Sequence, residues 1–313
     1  MGVIRIGTRG SALAVWQAEW VRSQLLALYP EGEVEVIRIK TTGDKITDVP
    51  LAQVGGKGLF VKEIETALLE GRVDLAVHSM KDMPAEIPPG LCIGAVPERE
   101  DPSDVLISRN GHCFNDLPKG AHVGSSSLRR GAQVRHHRPD IQIQPLRGNL
   151  DTRVRKLNTG SLDAIIVAAA GVRRLGLERH ITEYIPESIM LPAIGQGALS
   201  IETREDEASL GLVAAIDHRE TRLAVESERA FLGRLEGGCQ VPIAAKATVH
   251  GDRMTLTGLV AEVDGTVLLR EETSGPVQKH EELGVELASR LLEKGGAEIL
   301  KGILGRAVKD LTT

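Results

Sequence analysis

Five short runs carry residues able to do chemistry on an anionic substrate. Gly124-Ser125-Ser126-Ser127-Leu128-Arg129-Arg130 follows a predicted strand and opens a helix. Small residues there let free helix N–H groups approach an anion, and the helix dipole and two guanidiniums favour its charge. Thr8-Arg9-Gly10-Ser11 repeats the arrangement at the first strand–helix turn. His78-Ser79-Met80-Lys81-Asp82 ends another strand. A carboxylate beside a lysine can stabilise a cationic intermediate or move a proton; it can equally cap a turn. Leu235-Glu236-Gly237-Gly238-Cys239 sets a cysteine behind two glycines, which clears space around a sulfur nucleophile, although a lone cysteine is also an ordinary inert thiol. Val54-Gly55-Gly56-Lys57-Gly58 is glycine-rich but not a Walker loop, because Lys57 precedes Gly58 rather than Ser or Thr. The residues alone do not separate a lid bearing Lys57 from a plain loop.

The charge pattern sharpens the anion reading. The 313 residues carry a net charge of −5. Between Lys119 and Arg179, however, 12 Lys and Arg face four acids, and ten of the 12 are Arg. Arginine suits planar, bidentate capture of carboxylate or phosphate. An acidic total and only seven aromatic residues argue against nucleic acid, so a small polyanion is the better match. Three cysteines with no CxxC pair argue against a disulfide framework or a zinc site, and no HExxH or GxSxG run occurs. No apolar run reaches the ~18 residues of a membrane helix, and no secretory signal is visible. The expected compartment is the cytoplasm.

Elements must position these runs. Val3–Gly7 reads as a strand, followed by a helix that Ser11 caps, with Leu13, Trp16, Trp20 and Leu28 on or near one face. Strands at 34–39 and 75–78 flank a long loop at 41–57 and a helix at 60–70. Prolines at 84, 88, 89, 97 and 102 break the chain, and a crossing near 97–102 fits them. The pattern then restarts with strands at 122–124, 141–145 and 164–168 separated by helices. Such alternation indicates βαβ units and mostly parallel sheets. Leu199–Glu202 returns to the first sheet. Beyond residue 219 a helix, an antiparallel meander and two further helices form an α+β unit. The expected division is domain 1 at 1–97 and 198–217, domain 2 at 98–197, and domain 3 at 218–313. Two α/β domains joined by two crossings imply a hinged cleft, with ligands beyond the carboxyl ends of the strands.

Taken together, these runs resemble the porphobilinogen deaminase (hydroxymethylbilane synthase) family. The matching runs also include Ala76–Pro84, Glu98–Pro102, Leu146–Asn149, Ala170–Leu177 and Leu191–Ala198, and they cover about three quarters of the chain in the family's order. Ala12, Ser125 and Arg173 stand where proline, threonine and lysine are more usual, and no functional group is lost. The resemblance implies an α/β enzyme of tetrapyrrole (haem) biosynthesis with two periplasmic-binding-protein-like domains and a smaller C-terminal α+β domain. It would join four porphobilinogen molecules into linear hydroxymethylbilane and release ammonia. A dipyrromethane cofactor would hang by a thioether from Cys239. Asp82 would contact the pyrrole N–H groups, assist loss of ammonia and stabilise the cationic intermediate. Lys81, Ser127, Arg129, Arg130, Arg147 and Gly148 would hold the cofactor. Arg9, Ser11, Arg147, Arg153, Arg174 and Gln196 would hold substrate carboxylates, with Lys57 on the lid. No metal, nucleic acid or membrane is called for, and a monomer is expected. Two other readings use the same residues: an anion receptor without chemistry, and a cysteine-nucleophile transferase acting on a phosphorylated substrate. The Gly-Gly-Cys run counts against the first. The second lacks an identifiable base near Cys239.

Overall fold

The computed structural model describes residues 2–45, 61–235 and 241–310. Its strands are β1 (Ile4–Thr8), β2 (Val34–Arg38), β3 (Leu75–Ser79), β4 (Leu91–Ala95), β5 (Asp104–Ser108), β6 (His122–Gly124), β7 (Gln142–Gln144), β8 (Ala164–Ala168), β9 (Glu183–Tyr184), β10 (Leu199–Arg204), β11 (Ile243–His250), β12 (Arg253–Ala261) and β13 (Leu268–Pro276). They form two five-stranded sheets, ordered β2-β1-β3-β10-β4 and β7-β6-β8-β5-β9, and a three-stranded sheet β11-β12-β13. One compact unit holds the described residues up to Glu100 together with Gly197–Arg222. The other holds Asp101–Gln196 and the described residues from Leu223 onward.

In the first unit β1 runs parallel to β2 and β3, while β10 is antiparallel to both β3 and β4. Alternation along β3 and β10 sends Leu75, Val77, Leu199 and Ile201 to one face, against Ala18, Val21 and Leu25 of the helix Ala12–Leu28. Ala76 takes the other face, packed with Ile64, Ala67 and Leu68 of the helix Lys62–Leu69. The first helix corrects the expected face. Ala14, Gln17, Ala18, Val21 and Leu25 are buried, whereas Trp16 and Leu28 are exposed. Small and branched residues at this helical spacing let the helix lie close to the strands, and bulkier side chains are left at the flanks.

The second unit repeats the plan. β6 is parallel to β7 and β8, and β5 is the antiparallel insertion, pairing with β8 and β9. β5 buries Leu106 on one face and Val105 and Ile107 on the other, as a strand covered on both sides must. Within the same unit the helices Arg219–Arg234 and His280–Leu291 cover the meander β11-β12-β13, with Phe231, Leu256 and Leu287 fully buried. The meander also packs on the helix Leu128–His137 through Ala132, Leu191, Ala244, Leu259 and Ala261. Gly265 turns the β12–β13 hairpin there at φ +77°, and an added Cβ would sit 2.6 Å from the Ala132 carbonyl. Among the described residues no helix is long and apolar enough to cross a membrane.

Candidate active site

Every described candidate in the first unit sits at the carboxyl end of a parallel strand. Arg9 follows β1, and Ser11 caps the next helix, its Oγ accepting from the Ala14 N–H at 3.3 Å. Thr8 Oγ1 donates to the Ala14 carbonyl, which ties the strand end to the same first turn. After β3 the chain makes one 3-10 turn, Met80–Asp82, closed by the Met83 N–H on the Met80 carbonyl and held to the Ala198 carbonyl through the Met80 N–H. That turn places Lys81 and Asp82 half-buried at the strand end. Arg9, Ser11, Gln17, His78, Ser79 and Asp82 line one concavity, floored by Ala14 and Val77. Gln17 Nε2 donates to Ser79 Oγ at 2.9 Å and fixes one wall.

The second unit presents the Arg-rich set in the same topological position. Ser127 caps the helix Leu128–His137, its Oγ accepting from the Arg130 N–H. Ser125 Oγ accepts from the Ser127 N–H, and Ser126 exchanges two hydrogen bonds with the Leu146 backbone. Arg129 and Arg130 do not lie on the surface. They are 5% and 6% exposed, and both clasp the wholly buried Asp104. Arg129 Nη1 donates to Asp104 Oδ2 at 2.6 Å and to the Leu191 carbonyl; Arg130 Nε and Nη2 donate to Oδ1 at 2.9 and 2.7 Å. Gln196 Nε2, also buried, adds a third donor to Oδ1 at 3.0 Å. Burial pushes the Asp104 carboxyl upward, but the Arg129 and Arg130 charges and these hydrogen bonds outweigh it and hold it far below the usual range. Burial lowers Arg130 from its ordinary value against the pull of Asp104. Two guanidiniums on one carboxylate leave a net positive charge at the buried strand end.

Further along, Gly148 at φ +112° shapes the turn after β7; its carbonyl accepts from Arg153 Nε, and the Arg147 carbonyl accepts from Lys156 Nζ. Arg147 is half-buried and Arg174 is buried in the helix Ala169–Arg174. Cys239 and Lys57 lie outside the described residues. Cys92 sits on β4, half-buried rather than enclosed as its apolar neighbours suggest. Among the described residues no group of His, Cys, Asp and Glu is disposed to hold a metal.

Sequence reasoning missed the partners that hold these groups. Asp104 opens the unforeseen strand β5, and its only signal is an acid leading an apolar run. Glu202 and Glu65 were equally silent. The alternation Leu199-Ser200-Ile201-Glu202-Thr203 signals a polar face on an inner strand, and that face is buried.

Two family models cover nearly the whole chain: porphobilinogen deaminase, dipyromethane cofactor binding domain, over residues 4–211, and porphobilinogen deaminase, C-terminal domain, over residues 222–293. The porphobilinogen deaminase of Geobacter sulfurreducens is 56% identical over 306 residues, spanning 97% of this chain and 96% of the relative. That of Syntrophotalea carbinolica is 54% identical over 301 residues, spanning 96% of each. The chain belongs to the porphobilinogen deaminase family. Its activity is that of a hydroxymethylbilane synthase of tetrapyrrole biosynthesis, and it carries that family's dipyrromethane cofactor-binding domain. Among solved structures, the periplasmic aliphatic sulphonate binding protein SsuA from Escherichia coli aligns at 19% identity and a TM-score of 0.40, over 75% of this chain and 71% of that one.

Proposed function

We propose that the concavity of the first unit is where porphobilinogen loses ammonia, with Asp82 as the group that holds the pyrrole N–H. The observation that carries this reading is the placement of Asp82 beside Arg9 and Ser11 around one hollow at the strand ends. An ionised carboxylate there stabilises the positive charge that develops as the C–N bond breaks, and it can accept a proton at the N–H. Arg9 and the Ser11 cap supply donors for the acetate and propionate groups of the substrate, and Lys81 is assigned to the cofactor. The family reaction polymerises four porphobilinogen molecules head to tail, so carboxylates accumulate as the product grows. Burying them unpaired is costly, and cations must be built into the site.

The donor set of the second unit fits dipyrromethane. Hydroxyls at Ser125–Ser127, a capped helix start, the net-positive Arg129–Arg130–Asp104 cluster and the Arg147–Gly148 turn suit a polycarboxylate. Ser127, Arg129, Arg130, Arg147 and Gly148 would hold it, with Cys239 as the covalent attachment. When bound it supplies the anchored pyrrole end to which new units add. Arg153 and Arg174 extend the positive surface for the growing product, Gln196 acts through Asp104, to which it donates from a buried position, and Lys57 would act from the loop. The chain is read as three domains, with 218–313 carrying the attachment cysteine. It is read further as a cytoplasmic monomer acting on free porphobilinogen.

The test is the intact denatured mass of the purified protein. An excess of two linked pyrrole units on the Cys239 peptide supports the assignment; the excess on any other peptide overturns it. Asp82→Asn should leave the fold intact and lower kcat by about a hundredfold or more, and near-normal turnover would remove its role. Arg129→Leu and Arg130→Leu should each impair cofactor assembly, read as loss of the mass excess.

A further inference from the structure

The face of the first sheet that lies under the helix Lys62–Leu69 holds a polar group that the proposed chemistry does not use. Antiparallel register sets Ser200 beside His78 and Glu202 beside Ala76, and Ala76 packs against this helix. Glu65 descends from the helix onto the same face. Glu202 is wholly buried, His78 is 5% exposed and Glu65 8%. His78 Nε2 stands 3.0 Å from Glu202 Oε2, which as a carboxylate accepts from it. The other oxygen of Glu202, one oxygen of Glu65 and the Ser200 hydroxyl are buried with no hydrogen-bond partner among the described residues.

Two ionised carboxylates buried on one face, each with an orphaned oxygen, would be expensive. Burial and the Glu202 charge push Glu65 up more than His78 and Lys62 pull it down, and the other charged groups nearby are engaged elsewhere. Lys62 is exposed on the same helix, and Arg204 on β10 is committed to the Leu68 and Val73 carbonyls and to Asp74 and Asp206. Arg5 of β1 is paired with Asp74, and Glu63 of the helix binds Thr42. β4 brings no charged residue. A single proton on Glu65 is the smallest change that would give both carboxylates an internal partner. Burial first, then the Glu202 charge, raises Glu65 above the usual carboxyl value.

We propose that Glu65 and Glu202 share one proton, carried on Glu65, and that Glu202 thereby acts as a positioning residue for His78 at the edge of the Asp82 concavity. With Nε2–H donated to Glu202, the remaining ring nitrogen, Nδ1, is the lone-pair acceptor of His78. His78 lines the concavity, so this extends the assignment of that hollow as the reaction site. Starting from the aminomethyl group in its ammonium form, each condensation breaks one C–N bond with release of ammonia, forms one C–C bond and frees a proton from the pyrrole α-carbon, which ends on that ammonia as ammonium. A fixed acceptor beside the site shortens that transfer.

The experiment has two readouts on the holoenzyme. Infrared difference spectra at neutral pH should show the carbonyl stretch of a protonated carboxyl that vanishes in Glu65→Gln. Absence of that band in the wild type, or its survival in Glu65→Gln, overturns the shared proton whatever the enzyme does. Kinetically, Glu65→Gln should stay within about threefold of wild type, because an amide replaces the donor. Glu202→Gln should lower kcat about tenfold with KM little changed, because His78 loses the anion that orients it. Should Glu202→Gln fail to fold, His78→Gln takes its place and should lower kcat in the same way. An unchanged kcat in the variant that folds, or a loss confined to KM, overturns the positioning role.

Discussion

The two five-stranded sheets share one plan but treat the carboxylate on their inserted strand in opposite ways. In the second, Asp104 on β5 receives two guanidiniums and an amide, and both of its oxygens are engaged. In the first, Glu202 on β10 receives a single imidazole and keeps an orphaned oxygen beside Glu65. Arginine does not titrate in the working range, so the Asp104 cluster is a fixed charge that can anchor anions at any physiological pH. The Glu202 cluster is held instead by one imidazole and, in the proposal above, one shared proton, an arrangement suited to passing a proton rather than to fixing a charge. Anchoring a polycarboxylate and expelling ammonia need these two different things.

The largest way to break this contrast is Asp104→Asn. It strands two buried guanidiniums and should cost about 3–5 kcal/mol, read from urea unfolding, whereas Glu202→Gln should cost less. Acid titration of stability should separate the clusters by sign. The depressed Asp104 carboxyl contributes stability that is complete above about pH 4 and is lost as pH falls through its folded value. The raised Glu65 carboxyl contributes in the other direction. Its share is complete below about pH 4 and is lost as pH rises through its folded value. Glu65→Gln should therefore remove a decline toward higher pH, and Asp104→Asn should remove a decline toward lower pH. The smallest effect is expected where the sheets agree. Ser11→Ala and Ser127→Ala each delete one helix cap and should each cost about 1 kcal/mol, measured as paired shifts in thermal midpoint.

Much of this was legible because local chemistry and periodicity coincide. Ser11 and Ser127 cap where strand gives way to helix, and the βαβ alternation fixes which strand ends carry Arg9, Asp82, Arg129 and Arg147. What escaped depends on pairing between distant segments. Arg129 and Arg130 look like free anion ligands until Asp104, 25 residues upstream of Arg129, is placed beneath them. Glu202 meets His78 across 124 positions, and no window of sequence contains both. The face of the helix Ala12–Leu28 was misread because tryptophans outweigh alanines in hydrophobicity while alanines permit the closer approach.

The inserted strands also differ in where the ribosome makes them. β5 precedes its neighbours β8 and β9, and the second sheet is complete once Tyr184 has emerged. β10 lies between β3 and β4 but is synthesised more than 100 residues after them. Until it arrives, β3 and β4 each lack their partner and expose unpaired backbone edges. During synthesis the second sheet can therefore form first, and the N-terminal one must wait half-built, the stage at which a chaperone has most to cover.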